Sequence, residues 1–351
     1  GSPNTDKLED DRGYGQHILA KHGVKILYAK ECKTFEEGKE LLRTRPGRYV
    51  LKPCGETANQ KELLYIGKDP KGKDMLITLE RYQKQYQPFT YQLQEYVEGI
   101  EIGIGAFFNG TTFVTPHCIC FEHKPLFTDN LGPLTGEMGS AMFWSMPTVF
   151  FDTVLKPLES FLAKEHYHGY ADINCIVNED GIFPLEFTMR FGYPTIGIQQ
   201  EGITIPMGKL LATLANETCT NITVRKGYQV GIRLFAPPFP YNDQEIFEAS
   251  VKGRPITIVP DRTKNDPLAG IHFDEVKKHM NQYVITGTSG LVALACGHGI
   301  TMEAARQMAL ERASRIIFDH QYYRKDIGCG WYEYKEKLLQ WGYLTYSQEK
   351  S

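Results

Sequence analysis

The chain has 351 residues, 42% of them hydrophobic and 23% charged, with a formal net charge of -3. That length suits two or three globular domains whose cores need no disulfide or metal staple. The balanced charge excludes a broad basic surface for nucleic acid, and no run of about 18 uncharged apolar residues offers a membrane span. The 8 cysteines are scattered without a CxxC pair. The two closest, Cys118 and Cys120, lie in an alternating apolar run, which reads as strand packing in a reducing compartment rather than a zinc site. No signal peptide pattern is present, so a cytoplasmic location is expected. Residues 1–7, opening on the cloning remnant Gly1-Ser2-Pro3, are expected to be unstructured.

Residues 6–22 read as one helix stopped by Gly23, and a short strand is expected at 24–29. Thr34 with Glu37 forms a capping-box pattern at the start of a helix over 34–43. Arg48-Tyr49-Val50-Leu51-Lys52 follows as a strand, completing the helix–strand rhythm of an α/β domain. Strands are expected at 63–66 and 75–78, around the turn Asp69-Pro70-Lys71-Gly72. The stretches 91–96, 101–108 and 112–120 are strand-like, with Asn109-Gly110 as a hairpin turn between the last two. A helix is expected over 148–166, a hairpin of 171–177 and 182–187 around Asn178-Glu179-Asp180-Gly181, and a helix over 203–216. Beyond Tyr228 the texture changes. Pro237-Pro238-Phe239-Pro240 breaks the chain, short strands follow near 256–259, 283–286 and 291–295, and 301–317 reads as an amphipathic helix. A domain boundary is expected near 225.

Four stretches carry residues suited to chemistry. On the strand ending in Glu186-Phe187-Thr188-Met189-Arg190, the residues Glu186, Thr188 and Arg190 share one face, and on its partner Asp172 and Asn174 do the same. Together they offer the oxygen ligands magnesium prefers beside a cation for phosphate; a hairpin with a polar solvent face is the alternative. Gln94-Glu95-Tyr96-Val97-Glu98-Gly99-Ile100-Glu101 alternates acidic and apolar residues across a glycine and also fits a plain edge hairpin. Lys52, at the end of an apolar strand, is placed either to meet a phosphate or simply as an exposed terminal lysine. Leu131-Gly132-Pro133-Leu134-Thr135-Gly136-Glu137-Met138-Gly139, preceded by His123-Lys124 and Asp129, reads as a rigid loop with N–H groups facing an anion; a structural turn is the alternative.

Two of these stretches and a third motif near the C-terminus, in order, resemble the phosphoribosylamine–glycine ligase family of ATP-grasp enzymes, over about residues 8–328. They are His123-Lys124 with Gly132-Pro133-x-Thr135-Gly136-x-Met138-Gly139, then Glu186-Phe187-x-x-Arg190-Phe191-Gly192-x-Pro194, then Tyr323-Arg324-Lys325-Asp326-Ile327-Gly328. The resemblance implies an α/β (α+β) fold: two α+β subdomains clasping ATP, at 8–90 and 91–225, a small mixed β domain at 226–330 and a helical tail at 331–351. It implies ATP and Mg2+ (or Mn2+) as cofactors. Lys52 and Arg12, with Lys61 as a substitute for a lost glycine-rich phosphate loop, would meet the ATP phosphates. Glu95, Tyr96 and Val97 would hold the adenine through their backbone, and Glu101 the ribose. Glu186 would bind magnesium with Asn174, Asp172 and Thr188 as further candidates, while Arg190 and Lys124 would act on the transferred phosphoryl group. Asp129, Gly132, Pro133, Thr135, Gly136, Met138, Gly139 and Tyr193 would line the substrate site.

The likeness breaks at four points. The family's N-terminal domain has no counterpart in this sequence; a domain supplied in trans is one expectation. Asn59-Gln60-Lys61 replaces the Gly-Lys-Gly phosphate loop, Thr188 replaces a metal-binding Asn, and Tyr193 and Thr195 replace an acidic pair that would face the substrate ammonium. These changes lead to the expectation of a ligase that joins glycine, or another small amino acid, to an amine other than phosphoribosylamine, as in natural-product or DNA-base modification. Nucleic acid would be a partner only in the last case. The alternatives are a phosphoribosylamine–glycine ligase and a non-catalytic descendant that binds without turnover.

Overall fold

The structure, a computed structural model, describes residues 2–57, 60–241, 243–261 and 266–345, without the side chains of Glu56 and Lys61. Four helices and a small sheet come first: α1 Pro3–Asp10, α2 Arg12–Lys21, β1 Ala29–Cys32, α3 Phe35–Thr44, β2 Tyr49–Pro53, β3 Tyr65–Ile66, α4 Lys73–Gln85 and β4 Tyr91–Glu95. The expected unstructured start is instead a helix: Ser2 caps it, Leu8 is buried, and the Ser2 hydroxyl donates to Glu165 at 3.1 Å. The expected helix over 6–22 is broken at Asp11, whose carboxylate accepts from the Tyr14 N–H at 2.9 Å and so starts α2. This break makes Arg12 the first residue of α2 and sets its direction. In α3 the Thr34 hydroxyl accepts from the Glu37 N–H as expected, while the Glu37 carboxylate reaches back to the N–H of Lys33 rather than Thr34. The strand expected at 75–78 is part of α4, where Met75, Thr78, Leu79 and Tyr82 form one buried stripe at helical spacing. The first sheet has the order β1-β4-β2-β3 and encloses a core of Tyr49, Leu51, Leu79, Tyr91 and Leu93. It takes in β4, beyond the expected division at 90.

The second sheet is larger. Its strands include β5 Ile100–Asn109, β6 His117–Glu122, then, after a ribbon of β7 Pro125–Phe127 and β8 Leu131–Leu134, β9 Gly139–Ser145. The helices α5 Val149–Val154 and α6 Glu159–Lys164 follow, with a tight turn of helix at Pro157 between them, because proline cannot continue the expected single helix. Next come β10 His168–Asn178, β11 Gly181–Thr188, α7 Thr195–Gly202, α8 Met207–Ala215, β12 Tyr228–Phe235, α9 Gln244–Ser250, β13 Pro255–Ile258, β14 Ile271–Phe273, β15 Val276–His279, β16 Gln282–Ile285, β17 Leu291–Gly299, α10 Met302–Ser314, β18 Ile316–Ile317 and α11 Trp331–Gln340. The eight-stranded order is β11-β10-β5-β6-β9-β12-β17-β14, and its strand pairs are antiparallel. The sheet therefore runs across position 225, with β12 paired to β9. Only β15-β16-β13-β18 forms a separate C-terminal sheet.

One face of the large sheet is apolar along its length, with Ile104, Ile119, Ile173 and Val230 packed under α10 and the α5–α6 segment. On the other face, Phe107, Cys118, Cys120, Met142 and Tyr170 pack under α7 and α8, which confirms Cys118 and Cys120 as packing residues. The opposite ends of the same strands are polar and uncovered by these helices. No described helix is long and apolar enough to cross a membrane.

Candidate active site

The polar end of this face faces the first sheet, and strand register builds it. Asn174 pairs with Glu186 and Asp172 with Thr188 across β10–β11, so all four project together as the alternation requires. On β5, Asn174 faces Gly103 and Asp172 faces Gly105. A β-carbon at Gly105 would lie 2.0 Å from the Tyr170 hydroxyl and 2.5 Å from the Asp172 carboxylate. Glycine there is what allows two polar side chains to lie flat over the middle of a sheet.

From the other side of the cleft, Lys52 on β2 reaches this cluster. Its ammonium is buried with little access to water, which lowers its pKa to about 8 even though Glu186 and Glu101 favour the charge. Arg12 ties the two walls: Nη1 donates to the Pro53 carbonyl at 3.2 Å, and Nη2 to Glu186 Oε2 at 3.3 Å. Burial acts to raise the Glu186 pKa, but Lys124, Lys52 and Arg12 outweigh it and hold the carboxylate below the usual range. Lys124 lies 2.5 Å from Glu101 and 3.4 Å from Glu122. Burial opposes its charge, yet Glu101, Glu122 and Glu186 together raise its pKa. Glu101, expected at the ribose, is thus already engaged by an ammonium.

Two acids of this site escaped the sequence reading. Glu122 ends β6 and accepts from Asn174 Nδ2 at 3.3 Å; burial raises its pKa. Glu137 is buried, accepts from the Ser140 hydroxyl at 2.5 Å, and is likewise pushed up by burial and by Glu122. Glu122 closes the same strand run whose alternation was read, so its parity with Cys120 was the available signal. Burial and Glu122 also raise Asp172 to about 7, against the opposing effect of Lys124.

Several expectations need correction. Arg190 lies beyond the end of β11, is largely exposed, and pairs with Glu9 at 2.9 Å. The stretch 132–139 is not a free anion loop. Gly132 and Pro133 belong to β8, paired with β7, and the N–H groups of Thr135 and Met138 donate to the carbonyls of Lys124 and His123. The Thr135 hydroxyl also donates to the Lys124 carbonyl at 2.7 Å, so Thr135 positions Lys124 from behind. Met138 is fully buried with Leu126 and Phe235, and Gly139 packs against the Gly231 carbonyl. Gly136 is exposed. Asp129 is held by its N–H to Asp326 at 3.1 Å, and Arg324, wholly buried, donates to Pro125, Asn130 and Asp326. The C-terminal motif thus pins the ribbon. The N–H groups of Glu95 and Tyr96 are spent on the carbonyls of Tyr28 and Arg48, the Glu95 side chain pairs with Arg45, and Arg48 stacks on the Tyr96 ring at 3.4 Å; Val97 follows half-buried. The Lys61 side chain lies outside the described residues.

No described group of three or more His, Cys, Asp or Glu side chains is placed to hold a metal. Magnesium does not need one, because it commonly takes one or two carboxylates, keeps several waters and borrows substrate phosphates. Glu186 fits that role. The buried Asn174 Oδ1, without a hydrogen-bond partner among the described residues, faces it across the strand pair and fits as a second oxygen.

Residues 10–196, more than half of the chain, match the family described as phosphoribosylglycinamide synthetase, ATP-grasp (A) domain. The chain belongs to this family. It is 27% identical over 336 residues to the phosphoribosylamine–glycine ligase of Thermotoga maritima, covering 92% of this chain and 77% of that protein. The enzyme of the same name from Streptococcus pneumoniae is 24% identical over 345 residues, with 92% and 76% covered. The crystal structure of the Thermotoga maritima ligase superposes with a TM-score of 0.69 at 23% identity, over 92% of this chain and 80% of that one. The biotin carboxylase domain of the Hydrogenobacter thermophilus 2-oxoglutarate carboxylase, solved with MgADP and bicarbonate, gives 0.60 at 13% identity, over 98% and 73%. These structural likenesses establish the ATP-grasp fold; the family match makes the chain an ATP-dependent ligase.

Proposed function

We propose that this ligase joins glycine to phosphoribosylamine, with ATP as the energy source and Mg2+ as its metal, in the cytoplasm. The observation that carries this reading is the likeness to phosphoribosylamine–glycine ligases across 92% of the chain. It outweighs the expectation of a different amine, which rested on the absent N-terminal domain, the replaced phosphate loop and the changes at Thr188, Tyr193 and Thr195.

A carboxylate is a poor electrophile. Transfer of the γ-phosphoryl group to a carboxylate oxygen gives an acyl phosphate and ADP. The amine then attacks the carbonyl carbon, phosphate leaves, and the nitrogen loses a proton. There is little covalent work for the protein, so positioning and charge neutralisation dominate. In this reading Lys52 meets the phosphates, and its burial makes its single charge count for more than it would in water. Arg12 holds Glu186 in place and fixes the distance between the cleft walls. Glu186 and Asn174 would hold Mg2+, which when bound neutralises phosphate charge. Lys124, held between Glu101 and Glu122, supplies a fixed positive charge beside the transferred group.

The test is ADP formation with Mg2+ across a panel of amino acids, with and without phosphoribosylamine. Turnover requiring both glycine and phosphoribosylamine supports the reading. Turnover with glycine and a different amine, at a rate phosphoribosylamine does not match, sinks it.

A further inference from the structure

The far half of the large sheet brings another cation to the same face. Glu122 and Gly231 both pair with Ser140, so Arg233, two residues on in β12, projects from the face that carries Glu122. Its side chain is 6% exposed. Nη1 makes a long contact with the Glu137 carbonyl at 3.4 Å, while Nε and Nη2 have no hydrogen-bond partner among the described residues. Asp274, just after β14, is as deeply buried, and its Oδ2 lies 3.7 Å from Nη2, beyond hydrogen-bond reach. That oxygen is also without a partner among the described residues. The Tyr193 ring lies over the guanidinium at 5.1 Å and is itself half-exposed, forming the open side of the site.

A buried arginine kept for stability closes onto its carboxylate at about 2.7–2.9 Å, because an unpaired buried charge is costly. Arg233 and Asp274 do not close. Both keep unused donor and acceptor capacity among the described residues, at the guanidinium that lies under the Tyr193 ring and beside the Glu137 carbonyl. Tyr193 stands where the resemblance implies an acid for a substrate ammonium, so an aromatic ring over a guanidinium takes the place of that acid.

We propose that Arg233, roofed by Tyr193 and flanked by Asp274, is a substrate subsite that binds an oxyanion, a carboxylate or a phosphate. The planar fork of arginine suits either group, and the open aromatic edge lets the ligand enter while excluding bulk water. The proposal deepens the ligase reading, since the oxyanion belongs to one of the two substrates.

Calorimetric titration of glycine, ribose 5-phosphate and inorganic phosphate into the full chain tests it without turnover. At least one probe is expected to bind the wild type and to lose tenfold or more in affinity in Arg233→Met, with Arg233→Lys between them. Loss for glycine assigns a carboxylate; loss for ribose 5-phosphate and phosphate assigns a phosphoryl group. The exposed Tyr193→Ala is expected to weaken the same probe several-fold and serves if Arg233→Met does not fold. No binding of any probe at millimolar concentration, affinities unchanged by these substitutions, or a phosphate affinity lost in Lys52→Ala but not in Arg233→Met would each overturn the proposal. An Arg233-dependent probe in a protein without ligase turnover would leave the subsite standing and remove the ligase reading.

Discussion

At the scale of the residue, the site depends on a few charges that hold one another across the cleft. Replacing Glu186 with Ala removes the carboxylate that Arg12, Lys52 and Lys124 all favour. Steady-state kinetics are expected to show ATP turnover falling about a hundredfold or more, as when one preorganised electrostatic partner is removed. Met138 gives the opposite contrast. It is fully buried against Leu126 and Phe235, so Met138→Ala is expected to lower unfolding stability by about 2–5 kcal/mol in urea titration, with kcat/KM per folded molecule nearly unchanged. A large rise in KM for an amino acid would instead return Met138 to the substrate site. His117 reports on pH. It is buried, stacked on Phe151 with ring centroids 3.6 Å apart, and burial lowers its pKa to about 4. The unfolded chain takes up this proton near pH 6.5, the folded chain only near 4. Between those values the unfolded state binds more protons, so stability falls as pH drops. The expected loss from this group is at most about 3 kcal/mol, read as the pH dependence of the urea midpoint, and His117→Phe should remove that part of the slope.

At the scale of the element, alternation was the legible signal and tertiary pairing the hidden one. The hairpin of β10 and β11 was readable because both strands alternate around a turn of Asn178 to Gly181, and this placed Asp172, Asn174, Glu186 and Thr188 together. Nothing in the strand pattern told where β11 ends, so Arg190 was read as a strand residue although β11 stops at Thr188 and Arg190 pairs with Glu9. The glycine-dense stretch at 132–139 was misread for a related reason. Its glycines serve a ribbon paired with the neighbouring β7 and a close backbone approach to β12, which lies far away in sequence. The α4 segment shows the competition of periods, since Met75 to Thr78 is too short to tell strand from helix without Leu79 and Tyr82. One consequence is measurable. Gly105→Ala forces a β-carbon into the Tyr170 hydroxyl and Asp172, so both stability and ATP turnover should fall, the second even in protein that remains folded. A substitution that costs neither would mean that Asp172 can leave the sheet surface freely.

At the scale of the whole molecule, the small sheet and the polar end of the large sheet form two walls joined by Arg12 and Lys52, while β12, β17 and β14 complete the wall that holds Glu186. Composition and motif order gave the class of fold and the family resemblance, but a boundary near 225 was drawn from a change of texture that a sheet does not respect. A chain ending at Arg225 would lose three of the eight strands and leave β9 unpaired on one side. It is expected to lack a cooperative thermal transition by circular dichroism; a sharp transition would mean that the first part folds alone. The Arg233 side of the face was invisible for the same reason, since Arg233 approaches Tyr193 and Asp274 only through strand pairing and the fold of the intervening helices.

The most direct measurement follows oxygen. With glycine labelled with 18O in its carboxylate, Mg2+, ATP and phosphoribosylamine, the released phosphate is analysed by mass spectrometry, with Glu186→Ala as the control. The expected result is one labelled oxygen per phosphate formed, because the carboxylate oxygen leaves with the phosphoryl group, and almost no phosphate from the variant. Phosphate released at the same rate without label, or equally from Glu186→Ala, would contradict an acyl phosphate made at this site.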